Sequence, residues 1–143
     1  MAIKNNLDVY EILDKASKQR AKKDKIKVLQ ENSQVWAMRD LLQGTYSDNV
    51  QWNLPAGKVP YTPADESSHP ASLHKEHMKF KYFVKGLRES SRLPAVKREK
   101  LFIDMCESVH PRDAELLVAM INKEPTKGLT KTLVKEAFPD LIS

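Results

Sequence analysis

The sequence predicts an all-α domain, and three observations carry the prediction. Apolar residues recur at three- and four-residue spacing in segment after segment, the mark of helices that bury one face. No stretch alternates apolar and polar residues at the period of a strand. Only four of the 143 residues are glycine and 30% are charged, a balance that suits helices with solvated outer faces. With 41% hydrophobic residues the chain can fill a core. At this length it hides roughly two-thirds of its unfolded surface, with no metal or disulfide staple required. The expectation is a single domain, residues 1–143, of about six or seven helices. Residues 1–44 form an N-terminal helical lobe, 45–72 a proline-rich loop, and 73–143 a C-terminal helical lobe.

The elements follow in order. Residues 6–17 read as a helix with Val9, Tyr10, Leu13 and Ala16 at helical spacing and Asn5 or Asn6 as cap. A basic stretch from Lys18 to Lys27 leads into a second helix carrying Ile26 and Leu29. Ser33 is placed to cap a third, whose apolar face is Val35, Met38, Leu41 and Leu42, and Gly44 is placed to stop it. Four prolines (Pro55, Pro60, Pro63, Pro70) and Gly57 make 45–72 a loop. At that length a loop is functional or is pinned by its aromatics, here Tyr46, Trp52 and Tyr61. A helix is expected over 72–90, with Leu73, Phe80, Phe83, Val84 and Leu87 on one face. Pro94 fits the first turn of the next, where Leu101, Phe102, Met105 and Val109 face inward. Pro111 opens another, with Ala114, Leu117, Val118 and Ile121 inward, and the last runs from about Thr130 to Phe138.

The formal charge is +5, which is an argument about partners and not about fold. Cys106 is the single cysteine, so no internal disulfide is possible and a reducing compartment is expected. No segment has the roughly 20 apolar residues of a membrane helix, and the N-terminus has no secretory pattern. A soluble, cytoplasmic protein without a membrane partner is expected.

An enzyme is not. The sequence has no phosphate-cradling glycine motif and no H-E-x-x-H. His69, His74, His77, Cys106 and His110 include pairs at ligand spacing, but four ligands would have to converge from a loop and two helices. The histidines therefore read as surface or half-buried groups, with no metal or other cofactor expected. Cys106 falls in an apolar helical pattern where thiols are inert. Basic residues carry more information. Lys81, Lys85, Arg88 and Arg92 step by four, three and four, forming one stripe if 72–92 is helical. Acidic residues gather elsewhere, at Asp8, Glu11 and Asp14, and at Asp104 and Glu107. That segregation is the footprint of phosphate binding, and a solvated helix face explains each stripe taken singly.

The chain's two ends carry a further signal. Met120-Ile121-Asn122-Lys123-Glu124, Lys127-Gly128-Leu129-Thr130 and Ala137-Phe138-Pro139-Asp140-Leu141-Ile142 run in that order. The opening has Tyr10-Glu11-Ile12-Leu13, a basic linker, Trp36-Ala37-Met38-Arg39-Asp40-Leu41-Leu42 and Tyr46 before Pro55. Together, over about half the chain, these resemble the N-terminal DNA-binding domain of phage-type ATP-dependent DNA ligases. Residues 56–72 do not align, and the K-x-D-G motif of the ligase catalytic domain is absent. The resemblance implies a free-standing helical domain, of a phage, that grips duplex DNA through phosphates without reading sequence. It points to a clamp of Lys123, Lys127, Gly128, Thr130 and Lys131, with Lys135 one turn on. The turn before a Thr-capped helix is itself a suitable anion site, and Gly128 would let a phosphate approach. The same residues also read as a tight turn and a plain cap. Lys81, Lys85, Arg88 and Arg92 would form a second contact line. The alternative is a protein-interaction adaptor on this scaffold, binding a host or phage protein such as a polymerase, nuclease or defence factor. Its recognition element would be the 45–72 loop.

Overall fold

Among residues 7–142, which a computed structural model describes, helix follows helix and no strand forms. Two isolated antiparallel bridges, Trp52 with Val84 and Asp65 with Ser68, are the extended pairings. The protein is all-α, as the periodicity predicts.

Helix α1 (Val9–Ser17) buries Val9, Ile12, Leu13 and Ala16, and Glu11 closes its first turn by accepting the Asp8 N–H at 2.9 Å. The expected caps Asn5 and Asn6 lie outside the described residues. Helix α2 (Lys22–Glu31) buries only Val28 and Leu29 and turns most of its lysines outward. Helix α3 (Trp36–Tyr46) departs from expectation at both ends. Val35, not Ser33, holds the N-cap position, and the helix continues two residues past Gly44. The reason is packing. A Cβ on Gly44 would lie 2.4 Å from Cζ2 of Trp52 and 2.8 Å from Sδ of Met120. Glycine is there for close approach and not for a left-handed stop.

The loop after α3 is tied down along its length. Trp52 Nε1 donates to the Gly44 carbonyl at 3.0 Å, and the Asn122 amide pairs in both directions with the backbone of Gly57. The Thr62 N–H donates to Glu107 at 2.8 Å and the Ala71 N–H to the Ser108 carbonyl at 2.9 Å. Trp52 thus pins the loop, edge-on to Phe80 at 6.0 Å.

The expected single helix over 72–90 is instead three short pieces. These are α4 (Leu73–Glu76), a 3-10 turn (His77–Tyr82) and α5 (Arg88–Ser91). Between the 3-10 turn and α5 the chain turns about one bridged residue, Val84. The Asn53 N–H donates to the Phe83 carbonyl at 2.6 Å and the Lys85 N–H to the Gln51 carbonyl at 2.7 Å. Val84 favours extended backbone and bridges to Trp52, and Gly86 turns the chain at φ +95°. Leu87, expected inward, is exposed.

Helices α6 (Ala95–Ser108), α7 (Pro111–Ile121) and α8 (Lys131–Ala137) form where predicted. Pro94 is the N-cap of α6, one position before its first turn, and Pro111 is the first residue of α7. Helix α3 packs on α7 and α8, and α2 on α8. Buried side chains from both expected lobes therefore merge into one core, from Val9 through Leu41 and Phe102 to Ile142.

Candidate nucleic-acid interface

The C-terminal end of α3 meets the turn between α7 and α8, and two side chains lock them together. Tyr46 is buried; its hydroxyl donates to the Leu129 carbonyl at 2.6 Å and accepts the Thr126 N–H at 2.8 Å. Lys123, in the left-handed region at φ +56°, donates Nζ to the carbonyls of Gly44 (2.8 Å) and Ser47 (2.7 Å). An ammonium at the last carbonyls of a helix is stabilised by the helix dipole. Burial holds that ammonium below the usual lysine range; Asp48 opposes the effect and Lys131 adds to it.

The result is an open cleft of about 830 Å³ lined by Lys25, Lys123, Lys127 and Lys131, with Tyr46 and Thr126 at its base. The lysines come from α2, the α7–α8 turn and α8, so the fold gathers positive charge from three places. Asp48 is the acidic residue in the lining. Its carboxylate meets Lys131 Nζ at 2.8 Å, and that hydrogen bond, with the Lys131, Lys123 and Lys135 charges, holds it below the usual carboxylate range. The cleft therefore already favours an anion.

Of the expected clamp residues, Lys123, Lys127, Gly128, Thr130 and Lys131 line the cleft, with different duties, and Lys135 does not. Lys127, Lys131 and Lys135 are exposed. Lys123 spends two of its donors on α3. Gly128, at φ +81°, gives its missing side chain to Ser17, whose Cβ lies 3.0 Å from where a Gly128 Cβ would be. Its carbonyl accepts from Lys25 Nζ at 2.7 Å. Gly128 is thus a tight turn packed on α1, the other reading of that position, and it also lines the cleft. Thr130 caps α8 by accepting the Leu133 N–H at 3.2 Å. By helix geometry the first two N–H groups of α8 have no partner within the helix.

Lys81, Lys85, Arg88 and Arg92 do not form a helical stripe, because the segment carrying them breaks. Lys81 lies on the 3-10 turn, Lys85 in the turn after Val84, Arg88 on α5 and Arg92 at its C-cap. All four are exposed. Lys85 adjoins the cleft through its backbone bond to Gln51, a lining residue.

Sequence reasoning missed Lys25 and Asp48. Lys25 was one lysine in a basic run with nothing to single it out. Asp48 meets Lys131 across 83 positions of sequence, a separation that leaves no local signal.

The histidines make contacts within the fold. His110 Nδ1 caps α7 by accepting the Arg112 N–H at 3.0 Å, and its ring stacks on Tyr10 at 4.4 Å. His74 bonds the Leu7 carbonyl, and His77 bonds Asp40 at 2.6 Å. Among the described residues no three His, Cys, Asp or Glu side chains converge as a metal site. Burial pushes the Cys106 thiol up to about 12. No described helix is long and apolar enough to cross a membrane.

No curated protein matches the chain. A family model does match, over residues 12–127. The matched stretch takes in Lys25, Asp48, Lys123 and Lys127 and ends before Lys131 and Lys135. On that match over most of its length, the chain belongs to the family of unknown function DUF6433.

Proposed function

We propose that this chain is a non-enzymatic protein that binds double-stranded DNA without sequence preference, through the lysine-lined cleft at the end of α3. The observation that carries the reading is the convergence of Lys25, Lys123, Lys127 and Lys131 on one open cleft, with Asp48 held among them. The cation type matters. Lysine is a point charge on a flexible stem, whereas arginine presents a fork suited to bidentate recognition. A lysine-lined cleft positions phosphates and supplies affinity, but it carries no base readout. The resemblance of both chain ends to ligase-type N-terminal DNA-binding domains supports the same reading. On this reading the protein acts in DNA organisation, replication or repair of a phage.

The test is fluorescence anisotropy with two labelled duplexes of unrelated sequence, using wild type and the Lys127→Glu/Lys131→Glu variant. Both duplexes bind with similar affinity, on the order of 10⁻⁴–10⁻⁶ M at physiological salt. The variant, folded by circular dichroism, binds much more weakly. A strong preference for one duplex, or equal binding by the variant, contradicts the proposal. The adaptor reading is favoured by a separate apolar surface, described next.

A further inference from the structure

Four large hydrophobic side chains stand exposed among the described residues: Trp36 (64%), Met78 (69%), Leu87 (41%) and Val96. Single exposed apolar residues are ordinary, but a cluster marks an interaction site. Two of these four, Met78 and Leu87, line one groove.

The groove, of about 450 Å³, runs beside α3. Its base is Trp52 and Phe80, and Met78 and Leu87 stand on its rims. Asp40, Gln43 and Gly44 form the α3 side. Trp36 lies one turn before Asp40 on the same helical stripe and so extends that side by a turn. It is also held in place. The Arg39 guanidinium is sandwiched between the Trp36 ring at 5.2 Å and the Phe138 ring at 5.1 Å. An aromatic ordered before binding loses little entropy on contact, which is what an anchor requires.

Size and charge indicate the occupant. From Trp36 to Gly44 is about 12 Å at 1.5 Å per residue, two turns of helix. That span matches apolar side chains at i, i+3 and i+7 of a partner helix. Lys81 lines the groove, and Lys85 and Arg88 flank Leu87 in sequence. None of the ion pairs among the described residues uses these three cations. The carboxylate present, Asp40, is bonded to His77. The groove is separate from the lysine cleft. Asp48 and Gln51 line the cleft, while Val50 and Trp52 line the groove.

We infer that this groove docks a short amphipathic helix of a partner protein, apolar on one face and acidic on the flanks. The inference does not rest on DNA binding, and the two sites can be filled together.

The experiment titrates the whole chain into a fluorescently labelled synthetic peptide with leucines at i, i+3 and i+7 and glutamates at the outward positions. A matched peptide carries lysines in place of the glutamates. The glutamate peptide binds at least about tenfold more tightly than the lysine peptide, and Met78→Glu/Leu87→Glu weakens it about tenfold. Both substituted side chains are exposed, so the variant keeps its fold, checked by circular dichroism. Lys127→Glu/Lys131→Glu and added duplex DNA leave peptide binding unchanged. Absence of binding, equal binding of the two peptides, or insensitivity to Met78→Glu/Leu87→Glu overturns the inference. So does loss of binding in the Lys127→Glu/Lys131→Glu variant or displacement by DNA, since either puts the peptide in the lysine cleft.

Discussion

Asp113 is nearly inaccessible at 1% exposure, yet it is a carboxylate. It occupies the third position of α7 and accepts the Tyr10 N–H at 3.0 Å, latching α7 to α1. Burial pushes its carboxyl up to about 6; the Tyr10 bond and the nearby His74 and His69 oppose the rise, and Asp8 adds to it. The sign of the pH effect follows. Between the ordinary value of 3.8 and about 6, the folded state keeps a proton that the unfolded state has released. Folding stability therefore falls as pH rises through that window and is level above it. At about 1.4 kcal/mol per unit, the full effect is on the order of 3 kcal/mol, reduced toward 2 by the helix dipole at this N-terminal position. Asp113→Asn keeps an oxygen for the Tyr10 N–H and cannot ionise. The stability of the variant relative to wild type rises by about 2–3 kcal/mol between pH 4 and pH 7. Urea denaturation followed by circular dichroism at several pH values measures this difference. Parallel pH profiles for the two proteins would refute the reasoning.

Gly44→Ala gains about 1 kcal/mol of helix propensity but drives a methyl into Trp52 and Met120, so a net loss of about 1–2 kcal/mol is expected in urea melts. A variant as stable as wild type would show that the contact is not tight. Tyr46→Phe leaves the Leu129 carbonyl and Thr126 N–H without their partner, costing about 1–3 kcal/mol, and faster amide exchange at Thr126 reports the loosened turn. Cys106 in the folded protein resists iodoacetamide at pH 8, because its thiol stays protonated to about 12, and reacts in guanidinium. Rapid labelling of the native chain would contradict its burial.

The helices legible in the sequence are those whose own residues decide the matter. Pro111 and Thr130 start α7 and α8 where predicted, and the apolar spacing of α6 and α7 marks their buried faces. The break within 72–90 was not legible, because the hydrogen bonds that hold it come from Gln51 and Asn53, about thirty positions away. Helical spacing there was a coincidence of composition that pairing with the loop overrode. Gly44 misled for a related reason: its role is set by Trp52 and Met120, and a glycine near a helix end looks the same whether it stops the helix or makes room. At the site, Lys127, Lys131 and Lys135 were readable as a local cluster around a turn. The capping duty of Lys123, the Lys25 bond to Gly128 and the position of Asp48 are long-range facts that local pattern does not encode.

The central claim, that the lysine cleft engages DNA phosphates, is tested most directly by measuring duplex affinity across a salt series. Lys127 and Lys131 line the cleft and Lys135 stands one turn further along α8, all three exposed; with Asp48 giving up Lys131 to a phosphate, about three phosphates are neutralised and log K falls with log salt at a slope of about −3. In the Lys127→Glu/Lys131→Glu variant the slope flattens to about −1 and affinity drops. A chain that fails to bind duplex even at low salt, or whose slope is the same in the variant, contradicts the account.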